Sequence, residues 1–524
     1  MAAQTRRLPV GIQSFKKIRK ENYLYVDKSD IVWQLANNGL QYNYLSRPRR
    51  FGKSLLIDTL QCYFEGKKEL FEGLKIMELE EEWTEFPVIR LDMSGAGATA
   101  TEIKDYLNLE FSKYEALYSI KPKETSRESV RFQVILDTAY QKTGKQVVVL
   151  IDEYDSPLQH SWKTPEHEGC TEVYRSVFSV LKLKGNVLRF VFITGITKFT
   201  QISLFSVLNH LTNISFLPQF APLCGITEEE MTVNFAPELE ALADKMECSI
   251  EEAHDKLKTY YDGYPFSDEN MTDIYNPFSL LNALSQLRLR NYWISSGATS
   301  MLNKFVNNME LRLHDFEDCY IDKDTLETSD VIEGGSELFL YQTGYLTIKG
   351  FDEDGYSLGF PNEEVRKALY KAVLPALTQK DITDIVSIQS RLMHSMNNGN
   401  LEEAKQCMKS LISNVPYSNK KLVSMDMEER YRLIISTILN AIGCQVEVEH
   451  MLSTGRIDIV ASTSRFIYVM ELKLANNGGI NAAEKQMIDN GYLKPFLADG
   501  RKVIGLAVEL DDMGKGLIDW KEVK

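Results

Sequence analysis

Three residues suited to phosphate chemistry, Gly52, Lys53 and Ser54, end the segment SRPRRFGKS at residues 46–54. Their order matches the end of the motif G-x-x-x-x-G-K-[ST], in which backbone N–H groups cradle phosphate, the lysine reaches the β- and γ-phosphates and the hydroxyl binds Mg²⁺. Strand-forming residues precede the segment and apolar residues at helical spacing follow it, so the N-terminus of a helix would face the anion. We therefore predict a nucleotide-binding loop. The residues expected to contact the nucleotide are Arg49, Arg50, Phe51, Gly52, Lys53 and Ser54.

Arg47 stands where this motif has its first glycine. Arg47, Arg49 and Arg50 either bind phosphate or pair with acids that shape the loop, and the sequence leaves both roles open. A G-K-S tripeptide alone is also compatible with a basic surface turn, so the nucleotide interpretation depends on a second motif.

That second motif follows a strand predicted at residues 146–151, whose Val, Leu and Ile side chains indicate burial on both faces. The strand ends in Asp152 and Glu153. An aspartate here can hold Mg²⁺ together with Ser54, and the following glutamate can polarise the water that attacks the γ-phosphate. Loop and acids together predict an α/β fold, a three-layer P-loop NTPase domain that binds a nucleoside triphosphate and Mg²⁺.

Another strand, predicted at residues 188–193, leads into Thr194 and Thr197. A polar residue at this place can sense the γ-phosphate, and we include Thr194 among the nucleotide-binding candidates. The choice between the two threonines stays open, and a hydroxyl at a strand end equally often caps a helix. An oligomeric motor would also need an arginine donated by a neighbouring subunit, for which Arg189, Arg49 and Arg50 are candidates.

A second group of reactive residues lies near the C-terminus, with Asp458 in GRIDIV and Glu471 and Lys473 in ELK. Strand side chains repeat every two residues, so Glu471 and Lys473 share one face. The two acids supply the hard oxygen ligands that Mg²⁺ prefers, and the lysine can orient or deprotonate a water. E-L-K alone is common on solvated strands, but Mg²⁺ held by these acids could activate a water for attack on a phosphodiester. The predicted order of elements in this segment is α-β-β-β-α-β.

The residues also resemble known families. RPRRFGKS at residues 47–54 and DEYD at 152–155 are similar to the AAA-ATPase-like proteins of bacteria, as are YVDKS at 25–29 and YQTGYL at 341–346. That resemblance implies an ATP-binding domain, a helical region and a C-terminal nuclease-like domain. The last segment resembles the PD-(D/E)xK nucleases, with Ile457 in place of the proline. This second resemblance implies a helix acid at Glu429 and a Gln486 that faces the site, spaced from Tyr492 as in the family.

The 524 residues predict several domains, and the formal net charge of −15 argues against a protein coated in basic surface. We expect an ATPase domain at residues 1–225, a mainly helical connector at 226–385 and a restriction-endonuclease-like α/β domain at 386–524. Within the connector, a predicted hairpin around the sequence DEDG at 352–355 is compatible with a winged helix. With neither a secretory signal nor a membrane-spanning run, a cytoplasmic protein without a membrane partner is expected.

We predict an ATPase that gates Mg²⁺-dependent cleavage of nucleic acid, with DNA favoured over RNA as the partner. The alternative is a nucleotide-switched protein whose nuclease-like domain only holds nucleic acid or another partner. A homo-oligomer is compatible with both predictions.

Overall fold

The computed structural model of this chain describes residues 7–121, 127–198, 211–293, 302, 319–328, 335–378, 380, 382–413 and 426–523. Across these ranges, no helix combines the length and the apolar character needed to cross a membrane.

A parallel sheet of five strands forms the centre of the N-terminal region, in the order β2-β3-β4-β1-β5. The strands are β1 (Tyr42–Ser46), β2 (Val88–Asp92), β3 (Val147–Asp152), β4 (Leu188–Gly195) and β5 (Thr212–Asn213). Every residue of β3 is buried, as its continuous apolar sequence predicts. Because parallel strands end at the same edge, the loop after β1 and the acids after β3 meet at the carboxyl edge.

The described residues of this region contain seven α-helices, which alternate with its strands as expected for a parallel sheet. They are α1 (Phe15–Lys20), α2 (Ser29–Asn37), α3 (Lys53–Phe64), α4 (Ala100–Leu117), α5 (Glu128–Thr143), α6 (Ser156–Ser161) and α7 (His167–Leu183). Sheet and helices confirm the predicted P-loop NTPase fold class.

The following region is mainly helical. Its first elements are β6 (Ile226–Thr227), α8 (Glu228–Met246), α9 (Ile250–Tyr261), β7 (Ile274–Tyr275) and α10 (Pro277–Gln286). Thr227 and Ser249 cap α8 and α9, because each side-chain oxygen accepts a hydrogen bond from the backbone N–H three residues later.

The predicted hairpin is also confirmed, and a third strand that the sequence analysis missed pairs with it. The elements are β8 (Cys319–Asp322), α11 (Lys323–Thr328), α12 (Gly335–Thr343), β9 (Thr347–Phe351) and β10 (Gly355–Gly359). The strands form an antiparallel sheet in the order β8-β10-β9. A winged-helix identity for this unit stays a prediction.

The C-terminal region contains α13 (Glu363–Thr378), α14 (Ile382–Asn398), α15 (Leu401–Ile412), α16 (Met427–Ala441), β11 (Gln445–Leu452), β12 (Gly455–Ser462), β13 (Phe466–Leu474), α17 (Gly479–Asp489), β14 (Lys502–Leu510) and β15 (Leu517–Val523). Its mixed sheet has the order β11-β12-β13-β14-β15, and only β13 and β14 pair in parallel. The predicted order α-β-β-β-α-β is confirmed by α16 to β14, and β15 adds an edge strand.

The chain divides into two compact units. The described residues up to Trp293 form one unit together with Cys319–Asn362, and the described residues from Glu363 onward form the other. The predicted boundaries at residues 225 and 385 stay predictions, because one compact unit can hold more than one domain.

Candidate nucleotide and nuclease sites

The phosphate-binding loop turns sharply into α3. Arg50 and Gly52 have left-handed φ angles of 69° and 91°, and Gly52 is the N-terminal cap of the helix. A left-handed residue at this point favours glycine. A Cβ atom added to Gly52 would meet nothing within 4 Å, so the surface over the helix N-terminus is open to an anion.

Lys53 lies inside the curve of this loop. Its side chain is buried, and Nζ donates hydrogen bonds to the carbonyls of Arg47 at 2.9 Å and Pro48 at 3.0 Å. Burial lowers the pKa of Lys53, and Glu153 and Asp152 partly oppose that shift. The ammonium is therefore held by backbone dipoles, with the two acids of β3 close enough to act on it.

The acids after β3 lie beside the start of α3. Asp152 is almost fully buried, which raises its pKa, and a hydrogen bond from the Ser54 hydroxyl opposes the increase. Glu153 is half-buried in a left-handed conformation, with φ at 46°, and burial raises its pKa too. Asp92, which the sequence analysis did not single out, ends the neighbouring strand opposite Asp152.

Ser54 and Asp152 form a pair that fits Mg²⁺. This ion usually takes one or two protein ligands and completes its shell with phosphate oxygens and water. Among the described residues, no three His, Cys, Asp or Glu side chains are grouped so that they could hold a metal ion as they stand. A nucleotide site does not require such a group.

Arg47, in place of the usual glycine, has neither role that the sequence left open. Its guanidinium is buried and donates to the carbonyls of Ser46 and Ser215 at 2.9 Å and of Phe220 at 3.2 Å. It also lies 4.0 Å from the centre of the Phe266 ring, a cation–π contact. Burial lowers the pKa of Arg47 to about 10, so the group stays charged at neutral pH. Arg47 thus binds the loop to the segment after β5.

The other predicted loop residues differ in exposure. Phe51 is buried, with its ring 4.9 Å from that of Tyr264 and 5.3 Å from that of Phe266. Arg49 is half-buried, whereas Arg50 is exposed and lies 4.6 Å above the Phe278 ring. Phosphate contacts by Arg49 and Arg50 stay predictions, while the Phe51 side chain stabilises the loop from beneath.

Both candidate sensor threonines are fully buried. The Thr194 hydroxyl donates to the carbonyl of Leu45 at 2.9 Å, which joins β4 to β1. The Thr197 hydroxyl donates to Asp155 at 2.7 Å. Neither hydroxyl faces an open site in this conformation, and a sensing role stays a prediction. Arg189 lies at the start of β4, the sheet edge opposite the loop.

An apolar cavity of about 110 Å³ lies beside the loop and includes Gly52 in its wall. Other residues that line it are Tyr25, Val26, Leu55, Leu223, Phe235 and Leu281. Lys28 also lines the cavity, and its Nζ donates to Glu230 at 2.6 Å. YVDKS at residues 25–29 was predicted only as part of the family resemblance, and its position beside the candidate nucleotide site was not predicted.

In the C-terminal unit, Asp458 and Glu471 lie side by side on β12 and β13. The N–H of Leu472 donates to Asp458 Oδ2 at 2.8 Å, which fixes the two strands at this point. Both acids are buried, and Glu471 Oε2 has no hydrogen-bond partner. Burial raises the pKa of Glu471 to about 7, with a further increase from the charge of Asp458.

Lys473 forms an ion pair with Glu471. Its Nζ lies 2.8 Å from Glu471 Oε1 and 3.8 Å from Glu428 Oε1. Burial lowers the pKa of Lys473, but the bond to Glu471 and the neighbouring carboxylates raise it overall. The predicted acid–lysine arrangement is thus brought together, although its catalytic role stays a prediction.

A second glutamate stands beside the predicted helix acid Glu429, whose role stays a prediction. Glu428, one position earlier, carries a carboxylate 3.8 Å from Lys473 Nζ, and burial raises the pKa of Glu428. Successive helical residues point about 100° apart, since a turn takes about 3.6 residues. The family pattern alone could not fix which of the two adjacent glutamates turns inward.

Arg432, which the sequence analysis missed, lies one helical turn after Glu428. Its Nη1 is 3.0 Å from Asp458 Oδ1, and its Nη2 is 3.0 Å from Glu449 Oε1. Arg456 also lies 3.0 Å from Glu449 Oε1. The spacing of four residues between Glu428 and Arg432 on a predicted helix was the signal that could have revealed this shared face.

Gln486 supports the start of β12, through Tyr492, instead of contacting the acid pair. Its Nε2 donates to the Tyr492 hydroxyl at 3.1 Å, and that hydroxyl donates to the carbonyl of Arg456 at 2.9 Å. The predicted Gln486–Tyr492 pair is therefore present. A catalytic role for Gln486 stays a prediction.

Comparisons with known proteins identify two family segments in this chain. A family model described as predicted AAA-ATPase matches residues 9–205, and one for the PD-(D/E)XK nuclease superfamily matches residues 426–520. An uncharacterized protein in the vnfD 5' region of Azotobacter chroococcum mcd 1 is 30% identical over 530 residues, covering 98% of each chain. The chain belongs to this family of predicted AAA-ATPases with a nuclease-superfamily domain.

Each of the two matched segments contains one of the candidate sites. The AAA-ATPase segment contains the loop at residues 46–54 and the acids after β3, and the nuclease segment contains α16 and the strands up to β15. The Azotobacter relative also covers the region between the two segments. The resemblance derived from the sequence is confirmed.

Proposed function

We propose that this AAA-ATPase-family protein binds and hydrolyses ATP and uses this cycle to gate Mg²⁺-dependent cleavage of nucleic acid by its nuclease-superfamily domain. The observation that carries the proposal is the presence of two acid–lysine sites on one chain, each with buried acids carried on the strands of a central sheet.

Nucleotide binding rests on the open N-terminus of α3 and on Lys53. When phosphate enters, Lys53 exchanges its two carbonyl partners for phosphate oxygens, a stronger interaction because both partners are then charged. The apolar cavity beside Gly52 would receive the base, with the Lys28–Glu230 pair available to its polar edge.

Hydrolysis is assigned to the acids after β3. Glu153 would orient the attacking water, and its raised pKa brings it closer to the neutral range in which a general base works best. Ser54 and Asp152 would hold Mg²⁺, which would neutralise charge on the phosphates.

Cleavage of nucleic acid is assigned to Asp458, Glu471 and Lys473. The unpartnered Glu471 Oε2 is a buried acceptor that fits a cation. Mg²⁺ held by Asp458 and Glu471 would lower the pKa of a water and neutralise the scissile phosphate. Lys473 would position that water and stabilise negative charge as it develops. Glu428 would add a third carboxylate to this side of the site.

DNA is the proposed nucleic acid, and a cytoplasmic location follows from the need for both ATP and nucleic acid. A homo-oligomer remains part of the proposal only if an arginine crosses from a neighbouring subunit to the γ-phosphate.

One observation favours a second function, a nucleotide-switched binding protein with an inactive nuclease domain. Lys473 and Arg432 already neutralise the acids of the nuclease site, and the described residues contain no ready-made group of three metal-binding side chains. A domain that only binds nucleic acid would tolerate such an arrangement.

A cleavage assay on single- and double-stranded DNA and RNA, with Mg²⁺ or Mn²⁺ and with or without ATP, tests both functions. We expect cleavage of DNA that depends on the metal ion and changes with ATP. Absence of cleavage on every substrate, with ATP hydrolysis retained, would contradict the nuclease and support the switch. Loss of ATP binding as well would contradict both.

A further inference from the structure

The acid pair of the nuclease site faces a third acid across the sheet. Glu449 of β11 has a left-handed φ of 55° and falls between the pairs Val448–Ile459 and His450–Ile457, so Asp458 is its counterpart in the register of β12. Like charges on neighbouring strands at this separation repel each other. The chain therefore needs a cation here, whether or not a metal ion is bound.

The Arg432 guanidinium supplies that positive charge and contacts both acids. One nitrogen contacts Asp458 Oδ1 and the other contacts Glu449 Oε1, both at 3.0 Å. The Arg432 side chain is 13% exposed and that of Asp458 is 8% exposed, so water screens this pair little. Glu449 is the more exposed acid and also holds Arg456.

This bridge determines which oxygens are open to a metal ion. Asp458 Oδ2 accepts the Leu472 N–H and Oδ1 is bound to Arg432, while Glu471 Oε2 has no partner. A cation shared by Asp458 and Glu471 would meet one free oxygen and one that is occupied by Arg432.

We infer that Arg432 is a positioning residue that acts as a latch on Asp458, competing with the divalent cation for Oδ1 and remaining on Glu449 when the cation binds. This inference rests on the nuclease site of the proposed function. Mg²⁺ binding would thus exchange one ion pair for another, so the affinity for the metal is set by a residue outside its ligands.

Titration of the nucleotide-free full chain with Mn²⁺, followed by the electron paramagnetic resonance of the free ion, measures this competition. The Mn²⁺ ion that wild type binds and Glu471→Gln does not is assigned to the nuclease site. Arg432→Gln should lower the Mn²⁺ dissociation constant by about tenfold, since a competing charge is removed from a poorly screened position. Arg432→Lys, which keeps the charge but cannot bridge two acids in the same way, should lower it by about threefold.

Arg456→Gln is the charge-matched control, because it removes the same charge from Glu449 without touching Asp458. The latch predicts a much smaller change for this variant, whereas general electrostatics predicts similar changes for both. Equal effects of Arg432→Gln and Arg456→Gln, or weaker Mn²⁺ binding by Arg432→Gln and Arg432→Lys, would overturn the latch.

Two further outcomes separate this inference from the proposed function. If wild type and Arg432→Gln bind Mn²⁺ equally at the nuclease site, the latch fails and the nuclease proposal stands. If no variant binds Mn²⁺ there, both fail. Melting temperatures measured without metal identify any variant that does not fold. If Arg432→Gln does not fold, the comparison is made with Arg432→Lys.

Discussion

The lysines at the two candidate sites have different kinds of hydrogen-bond partner. Lys53 donates to the carbonyls of Arg47 and Pro48, whereas Lys473 pairs with the carboxylate of Glu471. Both are partly or fully buried, and each lies near two or more acids. The difference lies in what a ligand must displace.

At the proposed nucleotide site, phosphate would displace only backbone dipoles, and the acids would remain available for Mg²⁺ and water. At the proposed nuclease site, a metal ion would have to displace or rearrange full charges, because removing one partner of a buried ion pair leaves the other unpaired. We infer that the first site is prepared for its ligand and that the second is closed by its own cations until a metal ion and substrate enter.

The largest expected effects come from removing each site separately. Lys53→Ala should lower ATP binding by at least about a hundredfold, and Glu471→Gln should lower cleavage by about a thousandfold, because each removes a charge that acts directly on phosphate or metal. ATP turnover and DNA cleavage are measured on both variants. Glu471→Gln should keep its ATP turnover, and loss of turnover in this variant would contradict the separation of the two sites.

Much of this comparison was predictable from sequence. The Lys53 loop, the acids after β3 and the Asp458–Glu471–Lys473 pattern depend on local spacing, which a strand or helix converts directly into a shared edge or face. The partners of Arg47 and Arg432 were not predictable. Ser215 and Phe220 are distant from Arg47 in sequence, and Glu449 meets Arg432 only once β11 pairs with β12.

The role of Arg47 offers the next test. Arg47→Gly restores the usual phosphate-loop residue, but it leaves the carbonyls of Ser46, Ser215 and Phe220 without their donor. We expect the free energy of unfolding to fall by about 3 kcal/mol, because buried acceptors lose charged partners. Thermal and urea unfolding of the full chain, with ATP binding measured in parallel, give the result.

Arg50→Gly is the matched control in the same loop. Arg50 is exposed and has a left-handed φ of 69°, so glycine fits its backbone, and only the contact with Phe278 is lost. The change in stability should stay within about 0.5 kcal/mol. A loss equal to that of Arg47→Gly would show that Arg47 has no special structural role.

Asp262 is a buried acid that, within the described part of the chain, has neither kind of partner seen at the two sites: no hydrogen bond of good geometry and no ion pair with a lysine. Neither carboxylate oxygen meets the geometry of a hydrogen bond, and burial raises the pKa of Asp262 to about 7, with a partial offset from the Gly263 N–H. Between about pH 4 and pH 7 the folded state holds a proton that the unfolded state has released, so this group lowers stability as pH rises.

Asp262→Asn removes this dependence. The variant should gain about 2 kcal/mol more stability over wild type at pH 8 than at pH 5, measured by urea unfolding at both values. Asp255→Asn, at an exposed position of α9, the helix that ends just before Asp262, should change stability by less than about 0.5 kcal/mol at either pH. A gain for Asp262→Asn that is the same at both values would contradict the buried, protonated carboxyl.

The smallest expected effect distinguishes Glu428 from Glu429. Glu428 lies 3.8 Å from Lys473 and adds negative charge to the acid pair, so Glu428→Gln should weaken metal binding and lower cleavage by about tenfold. Glu429→Gln, one position along the same helix, should lower cleavage by less than about twofold, since the two side chains point about 100° apart. Initial rates over a range of Mg²⁺ concentrations give the comparison, with ATP turnover as the internal reference. A larger effect of Glu429→Gln than of Glu428→Gln would identify Glu429 as the helix acid. It would also mean that, when the metal ion binds, the nuclease site rearranges by more than the movement of Arg432 away from Asp458.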